Sequence, residues 1–327
     1  MTRFLVLRFV MIPIALLVTV LLAYGYAHVV QWDYARRYPQ LHRQLTVTHP
    51  RPLSLVAAYR DYLPKLLHGN LGTLRNGESI VVVLRRATGA SLGLLVVALS
   101  ISIPLGLILG IAAARWTRSR PARWLMLLAT VGLAMPSFYV GSLLILFSVS
   151  YVLIRGGSGG APFPLAGFGW DRHLVLPTLA LTLRPTVQIA QVTASLLTGE
   201  LRKQYVFAAR SFGHSWRAVK QRLALRNVLA PVVLTIAGSL RMVVTDLILV
   251  EWLFFWPGLG RFMALALIPA ARTNMANSPY LLEPPFVAAI LGAVTAIFLL
   301  ADFSASTLVR LCDPRLRAPG REEVGDV

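Results

Sequence analysis

The run SLGLLVVALSISIPLGLILGIAAA, residues 91–114, carries no charged side chain from end to end. Its only polar side chains are three serines. A helix at a soluble surface needs a polar face, and this run has none. It is also longer than the roughly 20 residues that cross a bilayer, so it reads as a membrane-spanning helix. Working outward, five more apolar runs of membrane length appear, at about 9–30, 125–154, 174–198, 229–252 and 285–309. The chain is therefore expected to be an all-α polytopic membrane protein with six transmembrane helices. Its composition agrees, with 56% hydrophobic and 14% charged residues among 327 and a mean hydropathy of +0.66.

The first run starts with Arg3 and Arg8, as a signal peptide would. Its apolar stretch is too long for one, and His28, Gln31 and Trp32 follow it instead of a small-residue cleavage site, so a retained span is expected. The organisation read from the runs has four parts. Residues 1–30 form a cytoplasmic start and the first span, and 31–90 an extracytoplasmic loop. Residues 91–312 form the core of spans two to six, with an inner loop at 199–230, and 313–327 a cytoplasmic tail.

A formal charge of +19 would suit a nucleic-acid binder, but the charges are placed otherwise. With the N-terminus inside, the inner segments hold 17 Lys and Arg and the outer ones 13, nine of them in the single long loop 31–90. Long loops weigh little in orientation, so the short loops decide, and they favour cytoplasmic N- and C-termini. The basicity reads as topology and contact with the lipid bilayer, with no nucleic-acid partner. Cys312 is alone and can form no intrachain disulfide.

No run of the sequence has the context that catalytic chemistry needs. The run GGSGG at 156–160 satisfies G-x-S-x-G, yet a membrane helix precedes it and proline-rich chain follows, where a nucleophile elbow needs a strand and then a helix. An intramembrane serine protease remains a remote alternative; it would need a later histidine inside the membrane, and none exists beyond His214. The six histidines show no metal-ligand spacing, so no metal site and no catalytic residue are expected. There is no Gly-x4-Gly-Lys-Ser/Thr run to hold ATP phosphates, so energy must come from a partner or a gradient.

Between spans four and five lies QYVFAARSFGHSWRAVKQR, residues 204–222. Tyr205, Ala209, Phe212, Trp216, Val219 and Leu223 recur at steps of four and three, an apolar stripe on a helix, with Arg202, Arg210, Arg217 and Lys220 off it. Gly213 disfavours a continuous helix and predicts two short helices meeting at a turn. The pattern alone fits either an amphipathic helix lying on the inner leaflet or a docking element for a cytoplasmic partner. Inside the spans, Arg184, Arg241, Asp246 and Asp302 are costly charges that point to a translocation path or to pairing across helices. Arg241 and Asp246 are five apart on one helix and would not face each other. The same charges support the alternative of a gradient-driven secondary transporter or channel.

The sequence resembles the permease subunits of ABC importers of the dipeptide, oligopeptide and nickel group. AARSFG at 208–213 followed by ALRNVLAPVV at 224–233 resembles that family's cytoplasmic loop. GNLGTLRNGESI (69–80), AMPSFYVGSLLI (134–145) with Pro136, HLVLPTLALTL (173–183), VEWLFFWPGLGRF (250–262) with Glu251, Pro257, Gly258 and Gly260, and CDPRLR (312–317) resemble further family segments in the same order. The resemblance implies a non-catalytic subunit of the bacterial inner membrane that imports peptides or similar small solutes. It implies a homologous second permease, two cytoplasmic ATPases and an extracytoplasmic substrate-binding protein as partners. This chain would bind no cofactor, with ATP and Mg on the ATPases. The loop 199–230 would hold a coupling helix, implying ATPase contacts at Arg202, Tyr205, Ala208, Ala209, Arg210, Phe212, Gly213 and Trp216. The sequence departs from the family where Phe207, Ala208 and Phe212 replace polar residues and where Ser306 stands at an acidic position.

Overall fold

The computed structural model describes residues 2–37, 54–116, 120–155, 161–267 and 279–312. The described chain is helical, and one isolated antiparallel bridge, Thr73 to Ser79, closes the turn before the second long helix. In chain order the helices are α1 (Thr2–Arg37), α2 (Leu55–Leu67), α3 (Ile80–Ala113), α4 (Arg123–Ala134), α5 (Ser137–Ile154) and α6 (Val175–Glu200). They continue with α7 (Gln204–Ser211), α8 (Trp216–Leu253), α9 (Leu259–Leu267) and α10 (Pro284–Cys312).

The bundle is built around α6. Helices α3, α4, α5 and α8 pack on it, α10 packs on α8, and α1 packs on α10. Between helices in lipid the hydrophobic effect supplies little, and close backbone approach through small residues takes its place. Gly106 and Gly110 of α3 provide that approach. A Cβ at Gly106 would stand 2.9 Å from the Thr186 carbonyl oxygen, and one at Gly110 2.8 Å from that of Ala190. Sixteen of the 26 residues of α6 are buried, five of them threonines. A helix enclosed by protein need not be as apolar as one facing lipid. Accordingly α1, α3, α5, α8 and α10 contain the five segments, among the described residues, long and apolar enough to cross a membrane, while α6 holds the centre with threonines and Arg184. Leu127, Leu146, Phe147, Leu153 and Ile108 lie exposed on the outside of the bundle, as lipid-facing side chains do.

Three boundaries differ from those expected. The run 125–154 is not one helix: α4 ends at Ala134, Met135 and Pro136 are extended, and α5 starts at Ser137. Proline lacks the N–H and drives the preceding residue out of the α region, a local effect invisible to hydropathy when both flanks are apolar. Helix α3 begins at Ile80, so the boundary drawn at residue 90 falls inside it, and α8 begins at Trp216, well before residue 229. The first extension carries Arg85 and Arg86 and the second Arg217, Lys220, Arg222 and Arg226, charges that broke the apolar run without breaking the helix. The loop 31–90 also holds α2, capped by Ser54 Oγ accepting from Ala57 N–H (3.3 Å). Its Tyr62 ring stacks on Tyr24 of α1 at 4.1 Å between centroids, and Tyr59 Oη donates to the Leu21 carbonyl (2.6 Å). His42, His49, GGSGG at 156–160 and the segment 313–327, with most of CDPRLR, lie outside the described residues.

Candidate functional site

The loop between α6 and α8 divides into an anchored face and a free one. Helix α7 ends at Ser211, and Gly213 follows with φ +85°, a left-handed conformation that glycine takes without strain. Ser215 then caps α8, its Oγ accepting from Ala218 N–H (3.3 Å). The expected turn at Gly213 is present, but only the first helix is short, because the second runs on into α8. Val206, Val219 and Ala224 are fully buried with Leu197 and Leu201 of the α6 end, and Tyr205, Ala209 and Trp216 pack half-buried around them. Phe207 is 52% exposed and Phe212 85%, and Ala208, Arg202 and Gly213 are exposed beside them.

The stripe read from the sequence is nearly in phase, but it packs on the bundle and not outward against lipid or a partner as expected; its misses in phase have physical causes. Phe212 leaves the stripe because α7 stops one residue before it. Leu223 is exposed and Ala224 buried because Val219–Ala224 forms a π turn, which aligns residues five apart and shifts the phase by one. Val206 was missed altogether; its adjacency to Tyr205 placed it just off the line.

Several polar contacts hold this loop. Glu200, at the end of α6, accepts from Tyr205 Oη (2.9 Å) and Asn227 Nδ2 (3.0 Å) and pairs with Lys203 (2.6 Å). Burial, and then donation to that carboxylate, push the Tyr205 phenol above its ordinary pKa. The Arg210 guanidinium sits over the Trp216 ring at 4.8 Å and donates to the His214 carbonyl (2.5 Å), closing the turn on itself.

The four intramembrane charges all pair, and always between helices. Arg184 of α6 meets Asp246 of α8 at 3.0 Å, and Asp246 also accepts from Ser137 Oγ, the first residue of α5 (2.5 Å). The break at Pro136 is therefore tied to both α6 and α8. Arg241 of α8 meets Asp302 of α10 at 2.7 Å, and Arg8 of α1 pairs with the same carboxylate. Arg241 Nη2 also reaches Ser306 Oγ (3.4 Å). The acidic partner absent at Ser306 is supplied one helical turn earlier on the same face, by Asp302. Arg8 is a member of this cluster that sequence reading placed only at a helix start. Among the described residues no three His, Cys, Asp or Glu side chains gather as a metal site.

Comparison with known proteins bears directly on this arrangement. Residues 102–318 match the family described as the binding-protein-dependent transport system inner membrane component. The chain belongs to that family. It is similar to a peptide permease protein of Brucella ovis, 31% identical over 284 residues that cover 85% of this chain and 83% of the relative. It is also similar to a peptide transport system permease protein of Brucella abortus (31%, covering 79% and 78%) and to the oligopeptide transport system permease protein OppB of Mycobacterium tuberculosis (28%, covering 80% and 81%). The protein is a multi-pass permease subunit of a bacterial ABC importer, seated in the inner membrane, whose system includes a substrate-binding protein and an ATPase.

At the other end of α8 lies a carboxylate more enclosed than any other among the described residues. Glu251 is 0% exposed, and its Oε2 accepts from Gly260 N–H (2.7 Å), the second residue of α9. Ser91 Oγ of α3 accepts from Leu259 N–H (2.8 Å), and Trp256 Nε1 donates to the Ala90 carbonyl (3.1 Å). The turn leaves no room for larger residues. A Cβ at Gly258 would run into the Glu251 carboxylate, and one at Gly260 would stand 2.6 Å from the Ile248 carbonyl oxygen. Pro257 completes this turn. The family signature residues here hold a fold, with α8, α9 and α3 locked in one corner.

Proposed function

We propose that this permease forms half of a translocation pathway for di- and oligopeptides, beside a homologous second permease, and that residues 199–230 couple it to two cytoplasmic ATPases carrying ATP and Mg. The observation that carries the proposal is the pair of exposed rings, Phe207 and Phe212, on a loop whose opposite face is buried in the bundle. An aromatic knob on an anchored helix suits a groove in a partner and transmits force into the helices behind it. On this reading the partner meets Phe207, Ala208, Phe212 and Gly213 with Arg202. Tyr205, Ala209, Arg210 and Trp216 act from behind, by fixing the angle of α7. The bundle crosses the membrane six times with both termini inside, α6 being the enclosed span, and Arg184, Arg241, Asp246 and Asp302 lie along or beside the path. Peptide as substrate is supported by the names of the similar proteins.

The test is co-purification through a tag on this permease, co-expressed with candidate ATPases and a second permease. Replacing Phe207 and Phe212 by Ser is expected to weaken ATPase retention at least about thirtyfold, as loss of an aromatic hot spot does, with unchanged membrane insertion. Full retention by that variant would sink the contact, and transport by this chain alone, driven by a gradient, would sink the whole reading.

A further inference from the structure

We propose that Trp116, just past the end of α3, is a positioning residue for the coupling loop, making residues 114–116 a second lever beside α7. The inference rests on the reading of 199–230 as the ATPase contact. Trp116 stacks on Trp216 with centroids 4.2 Å apart and planes at 26°. The Trp216 ring is thereby engaged by Trp116 and by the Arg210 guanidinium, at 4.8 Å. Trp216 is the first residue of α8 and follows Gly213, where a Cβ would meet only open space. No side chain packs at the glycine itself, so the angle between α7 and α8 rests on the turn's backbone hydrogen bonds, on the buried Val206 and Val219, and on the contacts to the Trp216 ring.

The backbone beneath Trp116 is fixed to the same helices. Lys220 Nζ, in the π turn of α8, donates to the Ala114 carbonyl just past the end of α3 (3.0 Å). Such a carbonyl has no partner within its helix, and a cation there also suits the helix dipole. Arg115 N–H donates to Thr198 Oγ1 of α6 (3.3 Å), and Ala114 is buried in the same cluster as Val206 and Val219. Residues 114–116 thus join α6 and α8 at the level of the coupling loop. Displacement of α7 by a partner would pull on α3 through Trp216, Trp116 and Lys220, as well as on α6 and α8 directly. Trp116 itself is 45% exposed, so its indole adds little to the core.

The experiment uses the assembled importer in liposomes, with a casein digest of short peptides as the transported probe and released phosphate measured alongside. Trp116→Ala removes the stack and is expected to lower peptide imported per phosphate released roughly fivefold to thirtyfold, with phosphate release itself maintained. Trp116→Phe keeps a ring and is expected to restore most of the ratio. An unchanged ratio in Trp116→Ala overturns the proposal. So does an equal loss of import and hydrolysis in both variants, which marks Trp116 as a mere headgroup anchor or structural residue. Full ATPase retention by the Phe207 and Phe212 variant would instead overturn the coupling reading, and this inference with it.

Discussion

Glu200 and Glu251 are both carboxylates at helix ends, one where α6 meets the loop to α8 and one at the far end of α8, sides that the proposed topology makes inner and outer, and they are held in different ways. Glu251 accepts from a backbone N–H inside a corner walled by glycines and backbone. Glu200 accepts from the side chains of Tyr205, Asn227 and Lys203, the last of them 61% exposed. The outer corner has one arrangement, because backbone cannot re-pack without unfolding the turn. The inner junction is made of rotatable groups that can exchange partners. A permease needs that asymmetry if force enters from the cytoplasmic side: the outer corner serves as a fixed point and the inner junction as the moving one.

The largest expected effect tests the fixed point. Gly260→Ala puts a methyl group against the Ile248 backbone and should destabilise the permease by roughly 3 kcal/mol. Glu251→Ala leaves a buried N–H without its acceptor and should cost a comparable amount, about 3 kcal/mol. Thermal unfolding of the detergent-solubilised protein measures both. A small shift in either would mean that the outer corner relaxes and that the two ends do not differ in kind.

The middle of the bundle comes next. Arg184→Met removes a cation from Asp246 in a low-dielectric setting and should cost about 3 kcal/mol, somewhat softened by Ser137. Pairing it with Asp246→Leu should recover much of the loss, because an apolar pair avoids the stranded charge. If the double variant is worse than the single, the two residues act separately, and α5, α6 and α8 are not joined through this pair.

What could be read beforehand follows from the same physics. Membrane helices announce themselves by apolar length, so α3, α8 and α10 were legible. The break at Pro136 was not, since apolar sequence on both sides hides a local backbone effect. Periodicity grouped Tyr205, Ala209, Trp216 and Val219 on one face but aimed it at lipid or a partner, whereas it packs on the bundle, and the pattern holds only while the helix keeps its pitch. It failed at Phe212, past the end of α7, and at Leu223, inside the π turn. Spacing correctly excluded an Arg241–Asp246 contact. It could not name Asp302 or Arg8 as partners, because contacts between helices depend on packing that one sequence does not display.

The moving junction should respond more mildly. Glu200→Ala removes the acceptor shared by Tyr205 and Asn227 and should cost about 2 kcal/mol, with the exposed Lys203 adding little. Glu200→Gln keeps an acceptor and should cost less. Hydrogen exchange localised to residues 204–227 would show whether the loss stays at the inner end, as the comparison requires.

The smallest effect probes whether the outer side has any adjustable contact of its own. Asp171 is exposed and caps the turn Arg172–Leu174 that leads into α6, accepting from His173 N–H (3.1 Å) and bonding His173 Nδ1 (2.7 Å). The hydrogen bonds from the His173 side chain and then its backbone hold the Asp171 carboxyl below its ordinary value. A depressed carboxyl contributes stability above its unfolded pKa, about 3.9, and loses it only as pH falls through the lower folded value. The melting difference between the unaltered permease and Asp171→Asn should therefore be slight and constant from about pH 7 to about pH 5, shrinking only in stronger acid. A difference that changed between about pH 7 and about pH 5 would mean that the Asp171 carboxyl does not carry this contact. The contrast between a fixed and a moving end would then narrow to the Glu251 corner alone.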